Sequence, residues 1–145
     1  MSPILLHEVK GKREILTFNT PEKLNVLSEE MLKELSSALS KISSNTSTHV
    51  VIIRSTGKAF CAGHDLKQMQ KARKNQDNGL SYFKTLFNQC SKLMIQIKNL
   101  PKPVIAEVQG IATAAGCQLV ATCDIALASD TARFGVNGVN IGLFC

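Results

Sequence analysis

Two short runs hold the residues best suited to chemistry: "CAGHDL" at 61–66 and "GIATAAGCQL" at 110–119. Each sets a glycine among small residues, before or at the opening of a helical pattern. The first N–H groups of a helix have no internal partner and point outward, where they attract negative charge. Small neighbours let another molecule approach that backbone closely. Both runs follow β-branched stretches, "HVVIIRS" at 49–55 and "PVIAEV" at 103–108. If those strands are neighbours, the turns lie side by side at the carboxyl ends, and two peptide N–H groups can converge on one developing oxyanion. Either turn alone is ordinary strand-to-helix punctuation. The pair points to chemistry.

Few side chains nearby can move protons. The sizeable polar group of the second run is the amide of Gln118, able to orient a water or a substrate carboxylate, or to make a structural hydrogen bond. His64 titrates near neutral pH, but the simpler reading has its imidazole packing or capping while its N–H does the work. Asp65 reads as the N-cap of the following helix, and Asp124 as ordering a helix-to-strand turn. Glu107, between apolar strand neighbours, reads as facing a partner or an edge. Cys61 and His64 have the spacing of half a zinc site, yet no second half is visible, so no metal is expected.

The elements that must position these turns follow from periodicity. "ILLHEV" and "EILTFN" (4–9 and 14–19) read as a hairpin, with "NTPEKLN" as a loop after it. Ser28 is the expected N-cap of an amphipathic helix over 29–43, with Glu29 and Glu30 at its positive end. A second helical pattern follows "CAGHD". The stretch 70–80, "QKARKNQDNGL", reads as a mobile loop. Phe83, Phe87, Cys90, Met94 and Ile97 mark the apolar face of a third helix. Strands at 103–108 and 124–129 flank a short helix, "AGCQLVATC". The alternation predicts an α/β fold with parallel strands buried on both faces.

Composition narrows the classes. The 145 residues are one domain's worth, 44% apolar, with 17 basic and 11 acidic residues and a net charge of +6. The basic run "LKQMQKARK" at 66–74 lacks interleaved aromatics, so nucleic acid is not expected; a phosphate-bearing small molecule suits the charge. Five cysteines without ligand pairing read as reduced, mostly buried thiols of an intracellular protein. The N-terminus lacks the order of a signal peptide. The most apolar region, 103–128, is broken by Glu107, Gln109, Gln118 and Asp124 and does not read as a membrane span.

In order along the chain, "NTPEKLNVLSEEMLKEL", "GKAFCAGHDLKQM", "KPVIAEVQGIATAAGCQLVATCDIALASDTARFG" and "GVNIGL" resemble successive motifs of the crotonase, or enoyl-CoA hydratase/isomerase, superfamily. The resemblance implies a crotonase-like α/β spiral of β-β-α units binding an acyl-CoA thioester as substrate or ligand, with no further cofactor. Residues 1–145 would be the N-terminal portion of one such domain, the C-terminal helical region absent, leaving "VNIGLFC" uncovered and the isolated chain prone to associate. The oxyanion donors carried over are the N–H groups of His64 and Gly116. CoA contacts fall at Lys23, Leu24, Ala62 and Lys67. The two glutamates of the family's hydratases fall at Gln118 and Gly138, neither of which exchanges protons, so efficient hydration is not expected. A full-length chain is expected to form a homotrimer or hexamer. It would be cytoplasmic in a bacterium, or mitochondrial in a eukaryote with a transit peptide outside this chain. The alternative is a non-catalytic acyl-CoA-binding regulator, or a fragment without function of its own.

Overall fold

A computed structural model describes residues 2–142. The hairpin is β1 (Leu5–Lys10) and β2 (Arg13–Phe18), with the register Glu8↔Ile15. After a 3-10 turn at Pro21–Lys23 comes α1 (Glu29–Ser44), whose N-cap Ser28 accepts a hydrogen bond from the Met31 N–H at 3.2 Å. Next are β3 (Val50–Ser55), β4 (Ala59–Cys61), α2 (Leu66–Ala72) and α3 (Leu80–Lys98). The chain continues through β5 (Val104–Val108), β6 (Ile111–Thr113), α4 (Ala115–Thr122), β7 (Ile125–Ala128) and β8 (Arg133–Gly135), then a second 3-10 turn at Asn137–Ile141.

The strands form two sheets. The larger has the order β1-β2-β3-β5-β7, parallel throughout except for the antiparallel first pair. The smaller, β4-β6-β8, is wholly parallel. After the hairpin, each successive strand pair (β3 and β4, β5 and β6, β7 and β8) therefore supplies one strand to each sheet. The core joins one face of the large sheet (Leu16, Phe18, Val51, Ile53, Val104, Ala106) to the apolar stripes of α1 and α3, where Leu35, Leu39, Leu93 and Ile97 are all at most 1% exposed. Fully burying such a side chain is worth about 1.5–3 kcal/mol. Asp124, just before β7, ties two neighbouring strands of the large sheet: its carboxylate accepts from the Val104 N–H at 2.7 Å and so pins the start of β5.

Several expectations change. The strand expected at 124–129 is present as β7, with every residue exposed at the sheet's edge. Val50 and Ile52 of β3 are only half-buried, so burial there alternates. Phe87 leaves the core-facing stripe of α3, which runs through Leu86, Cys90, Leu93, Met94 and Ile97, and is 44% exposed, whereas Phe83 is half-buried against the core. The stretch 70–80 is no open loop. Helix α2 runs to Ala72, successive turns bond Lys74 N–H to Lys71 and Asn75 N–H to Ala72, and Asp77 accepts from the Gly79 and Ser81 N–H groups. Cys61 and Cys90 are buried thiols, and Cys117 and Cys123 are half-buried; Cys145 lies outside the described residues. Among the described residues no helix is long and apolar enough to cross a membrane.

Candidate functional site

The two glycine turns do come together. Their leading strands are neighbours in the small sheet, β4 against β6, with Ala59↔Ile111 and Cys61↔Ala112. Beyond the strand ends the backbones touch. A Cβ on Gly63 would lie 2.9 Å from the Ala114 Cβ and 3.2 Å from the Thr113 carbonyl oxygen. A Cβ on Gly116 would lie 2.2 Å from the Cys61 carbonyl oxygen. Gly116 is therefore small because α4 packs on β4, not to admit a ligand from its own side; this corrects the reading of its small size given above.

Among the described residues, both candidate donors are free of protein acceptors. Gly116 is the second residue of α4, where no carbonyl of the helix precedes its N–H by a turn. Among the described residues the His64 N–H likewise meets no backbone acceptor, although its neighbours do: Gly63 accepts from the Leu27 N–H at 2.7 Å, and the Ala62 N–H donates to Leu24 at 3.1 Å. Ala114, the N-cap of α4, holds φ 52° and ψ −126°, a conformation that glycine adopts far more readily. Its N–H donates to Gly135 at 2.8 Å, so β8 fixes the strained turn from the other side. Strain here sets the angle at which α4 presents its first N–H groups.

A residue with no local sequence signal secures the opposite wall. Asn25 is fully buried; its Oδ1 accepts from the Thr20 N–H (2.9 Å) and its Nδ2 donates to the carbonyls of Thr56 and Ala59 (2.8 Å each). Leu24 and Asn25 both take positive φ, 55° and 52°, and the amide locks that bend against β4. Thus Leu24 meets Ala62, with exposed Lys23 beside it and exposed Lys67 in the first turn of α2. Leu24 and Ala62 are joined directly, Lys23 adjoins Leu24 in the chain, and Lys67 follows Asp65 in α2. Asp65 caps α2 as expected, accepting from the Lys67 and Gln68 N–H groups at 2.9 and 3.2 Å. Past α2 a cavity of about 310 Å³ is lined by Leu66, Met69, Gln70, Arg73 and Ile141.

The His64 imidazole meets the Phe87 ring edge-on at a centroid distance of 5.6 Å, and Phe87 stacks on Phe83 at 6.1 Å. Burial lowers its pKa, so the ring is neutral at neutral pH. Its Nδ1, like the Thr113 Oγ1 in the facing turn, is buried without a hydrogen-bond partner. Gln118 is exposed, and its amide makes no hydrogen bond within the described residues; its backbone carbonyl accepts from Thr122. Gly138 is buried in the turn after β8, whose Gly135 pairs with Thr113. Glu107 stands apart, on the outer face of the large sheet and across from Leu127. Among the described residues no three His, Cys, Asp or Glu side chains gather as for a metal.

A two-sheet spiral with two glycine turns abutting at adjacent strand ends defines a fold class, and the comparisons assign it. The enoyl-CoA hydratase/isomerase family model matches residues 13–145, so the chain belongs to that family. Among curated proteins it is 46% identical over 143 residues to human enoyl-CoA hydratase domain-containing protein 3, mitochondrial, covering 99% of this chain and 45% of that one. The zebrafish counterpart is 44% identical over 144 residues, covering 99% and 48%. An enoyl-CoA hydratase structure from Mycobacterium smegmatis superposes with a TM-score of 0.93 at 48% identity, over 99% of this chain and 55% of that one. The human domain-containing protein 3 structure gives 0.90 at 43%, over 99% and 55%. The chain spans about half the length of the curated relatives it matches.

Proposed function

We propose that the site binds acyl-CoA thioesters and that the N–H groups of His64 and Gly116 stabilise a thioester oxyanion. The observation that carries this reading is the contact between the turns, which puts two unpartnered N–H groups at neighbouring strand ends. Such donors typically contribute roughly a hundredfold to a thousandfold each in rate. The rim of Lys23, Leu24, Ala62 and Lys67 would hold the CoA moiety, its lysines meeting phosphate. No resident cofactor is required. A longer chain carrying this portion would assemble as a trimer or hexamer, in the cytoplasm of a bacterium or the mitochondria of a eukaryote.

Hydration needs proton transfer on both sides of a double bond, and positions 118 and 138 offer an amide and no side chain. Reactions that need only oxyanion stabilisation, decarboxylation or thioester hydrolysis, suit the site better. The exposed, unengaged amide of Gln118 also favours a second reading, a binding protein that kept the cradle without turnover. Incubating the protein with a panel of acyl-CoAs, with affinities measured and products followed by mass spectrometry, separates the two. Binding with turnover supports the first and binding alone the second; absence of affinity in folded protein removes both.

A further inference from the structure

Helix α2 leaves the His64 turn with unlike faces. Successive residues turn by about 100°, so Leu66, Met69, Gln70 and Arg73 fall within one arc. These four, with Ile141 of the second 3-10 turn, line the cavity of about 310 Å³. That volume is within the range of small-ligand sites, roughly 300–1,000 Å³. Lys67 and Lys71, one turn apart, lie together to one side of the arc. Gln68 lies on the opposite side, where its amide donates to Glu30 at 3.0 Å and accepts from the Glu29 N–H at 3.1 Å. The helix thus sorts its cations, lysines on one face and the arginine on the cavity.

Polarity also changes along the cavity. Toward the His64 end lie Leu66 and Met69, and Ile141 joins the same lining; Leu66 and Ile141 are 54% and 59% exposed. Gln70 and Arg73 stand at the far end. Among the described residues neither of these side chains has a hydrogen bond or an ion pair. The next acid in the chain, Asp77, is occupied by the N–H groups of Gly79 and Ser81 at 3.0 and 2.9 Å. Arg73 therefore offers a fork of donors that meets no internal anion, with an amide one turn away. From Leu66 to Arg73 the helix rises about 10 Å, the reach of a medium-length acyl chain.

We infer that the acyl group lies lengthwise along α2 and ends in a carboxylate, so that the substrate class is medium-chain dicarboxylic acids bound as CoA monothioesters. This rests on the thioester reading above and deepens it. The methylenes cover Leu66, Met69 and Ile141, apolar surface otherwise left to water. The far carboxylate accepts paired hydrogen bonds from the Arg73 guanidinium, the geometry that suits arginine best, and Gln70 donates beside it. An alkyl end would bring no acceptor to these donors. Arg73 is thus a specificity-determining residue and takes no part at the reacting carbonyl.

Calorimetric titration of the full chain with adipyl-CoA and hexanoyl-CoA, equal in chain length and different in the terminal carboxylate, tests this. Adipyl-CoA is expected to bind about tenfold tighter. Arg73→Gln should abolish that preference while hexanoyl-CoA affinity stays in place, and Arg73→Lys should restore part of it. Lys71→Gln removes the same charge from the neighbouring face and should keep the preference, which separates a directed contact from the general pull of a chain of net charge +6. Equal affinities for the two thioesters in wild type, or equal loss of preference in Arg73→Gln and Lys71→Gln, overturns this proposal and leaves the thioester site intact. Affinity for neither thioester, in protein that melts cooperatively, overturns both.

Discussion

The missing side chain of Gly116 faces the carbonyl oxygen of Cys61, which a Cβ would approach to 2.2 Å. The contact is backbone to backbone, so no rotamer change relieves it. Gly116→Ala is expected to cost about 3 kcal/mol or more. By contrast Gly11→Ala, at φ +61° with open space around it, should cost about 1–2 kcal/mol from backbone strain alone. Thermal unfolding compares them; equal midpoints for the two variants would show that α4 does not press on β4. A larger substitution such as Gly116→Val would therefore disturb the fold as much as the oxyanion site.

Asn25 has a similar structural leverage. Asn25→Ala leaves the Thr20 N–H and the Thr56 carbonyl without their partner, at about 1–3 kcal/mol for each buried orphan. It should also release Leu24 from Ala62 and weaken thioester affinity more than Lys23→Ala does. Calorimetric titration of both variants decides this, and a stronger effect of Lys23→Ala would place the recognition in charge rather than in the loop.

For His64, burial opposes protonation and lowers the pKa from its ordinary value near 6.5. The ring is therefore predominantly neutral at pH 7–8, and thioester affinity should be flat there. His64→Ala keeps the peptide N–H and should retain binding. A titration of affinity centred near pH 7 that disappears in His64→Ala would instead give the imidazole a direct role.

Acid/base capacity can be added back. Gln118→Glu combined with Gly138→Glu is expected to create crotonyl-CoA hydration from a background near zero, each well-placed group contributing roughly a hundredfold or more. Absorbance of the enoyl thioester follows the reaction. Efficient hydration by the unmodified chain would show that proton transfer comes from elsewhere in the site.

Glu14 governs the acid limb of stability. Burial opposes its ionisation, but hydrogen bonds from Thr48, His7 (2.5 Å) and Asn45 (2.9 Å) outweigh burial and hold its pKa below the ordinary value. A depressed carboxylate pKa stabilises the fold fully above the unfolded value, about 4.3, and the contribution fades as pH falls through the folded pKa. Urea unfolding between pH 7 and 3 should show wild type losing stability below about pH 4.3 and Glu14→Gln, weaker at pH 7, losing less. Parallel curves for the two proteins would remove Glu14 from the acid transition.

What the sequence made legible was local chemistry with a period or a cap. Ser28 and Asp65 are caps because the acceptor and the orphaned N–H groups are adjacent in the chain. The small sheet stayed hidden because β4, β6 and β8 are three residues each, too short for alternation to show. Phe87 was placed in the core by spacing alone, which cannot tell which of two apolar stripes on α3 meets a neighbour. Asn25 gave no signal, since its three partners lie 5, 31 and 34 residues away. The pairing of the glycine turns was legible in part: their likeness predicted proximity, but the direction of the Gly116 contact required the structure.

The meeting of Gly63 and Ala114 also shapes how these turns can vary. Their β-carbons would stand 2.9 Å apart if both existed, so the two turns share room for one methyl group. Ala114 occupies it at the cost of its own positive φ, and Gly63, at φ +90°, leaves it free. The two positions are therefore epistatic: the allowance at either depends on the residue at the other. Ala114→Gly relaxes its own backbone and opens a gap against the facing turn, so local comfort and tight docking cannot both be maximised. Mutational drift through this site must pass by way of a double-glycine state, a narrow corridor that keeps the two turns in step.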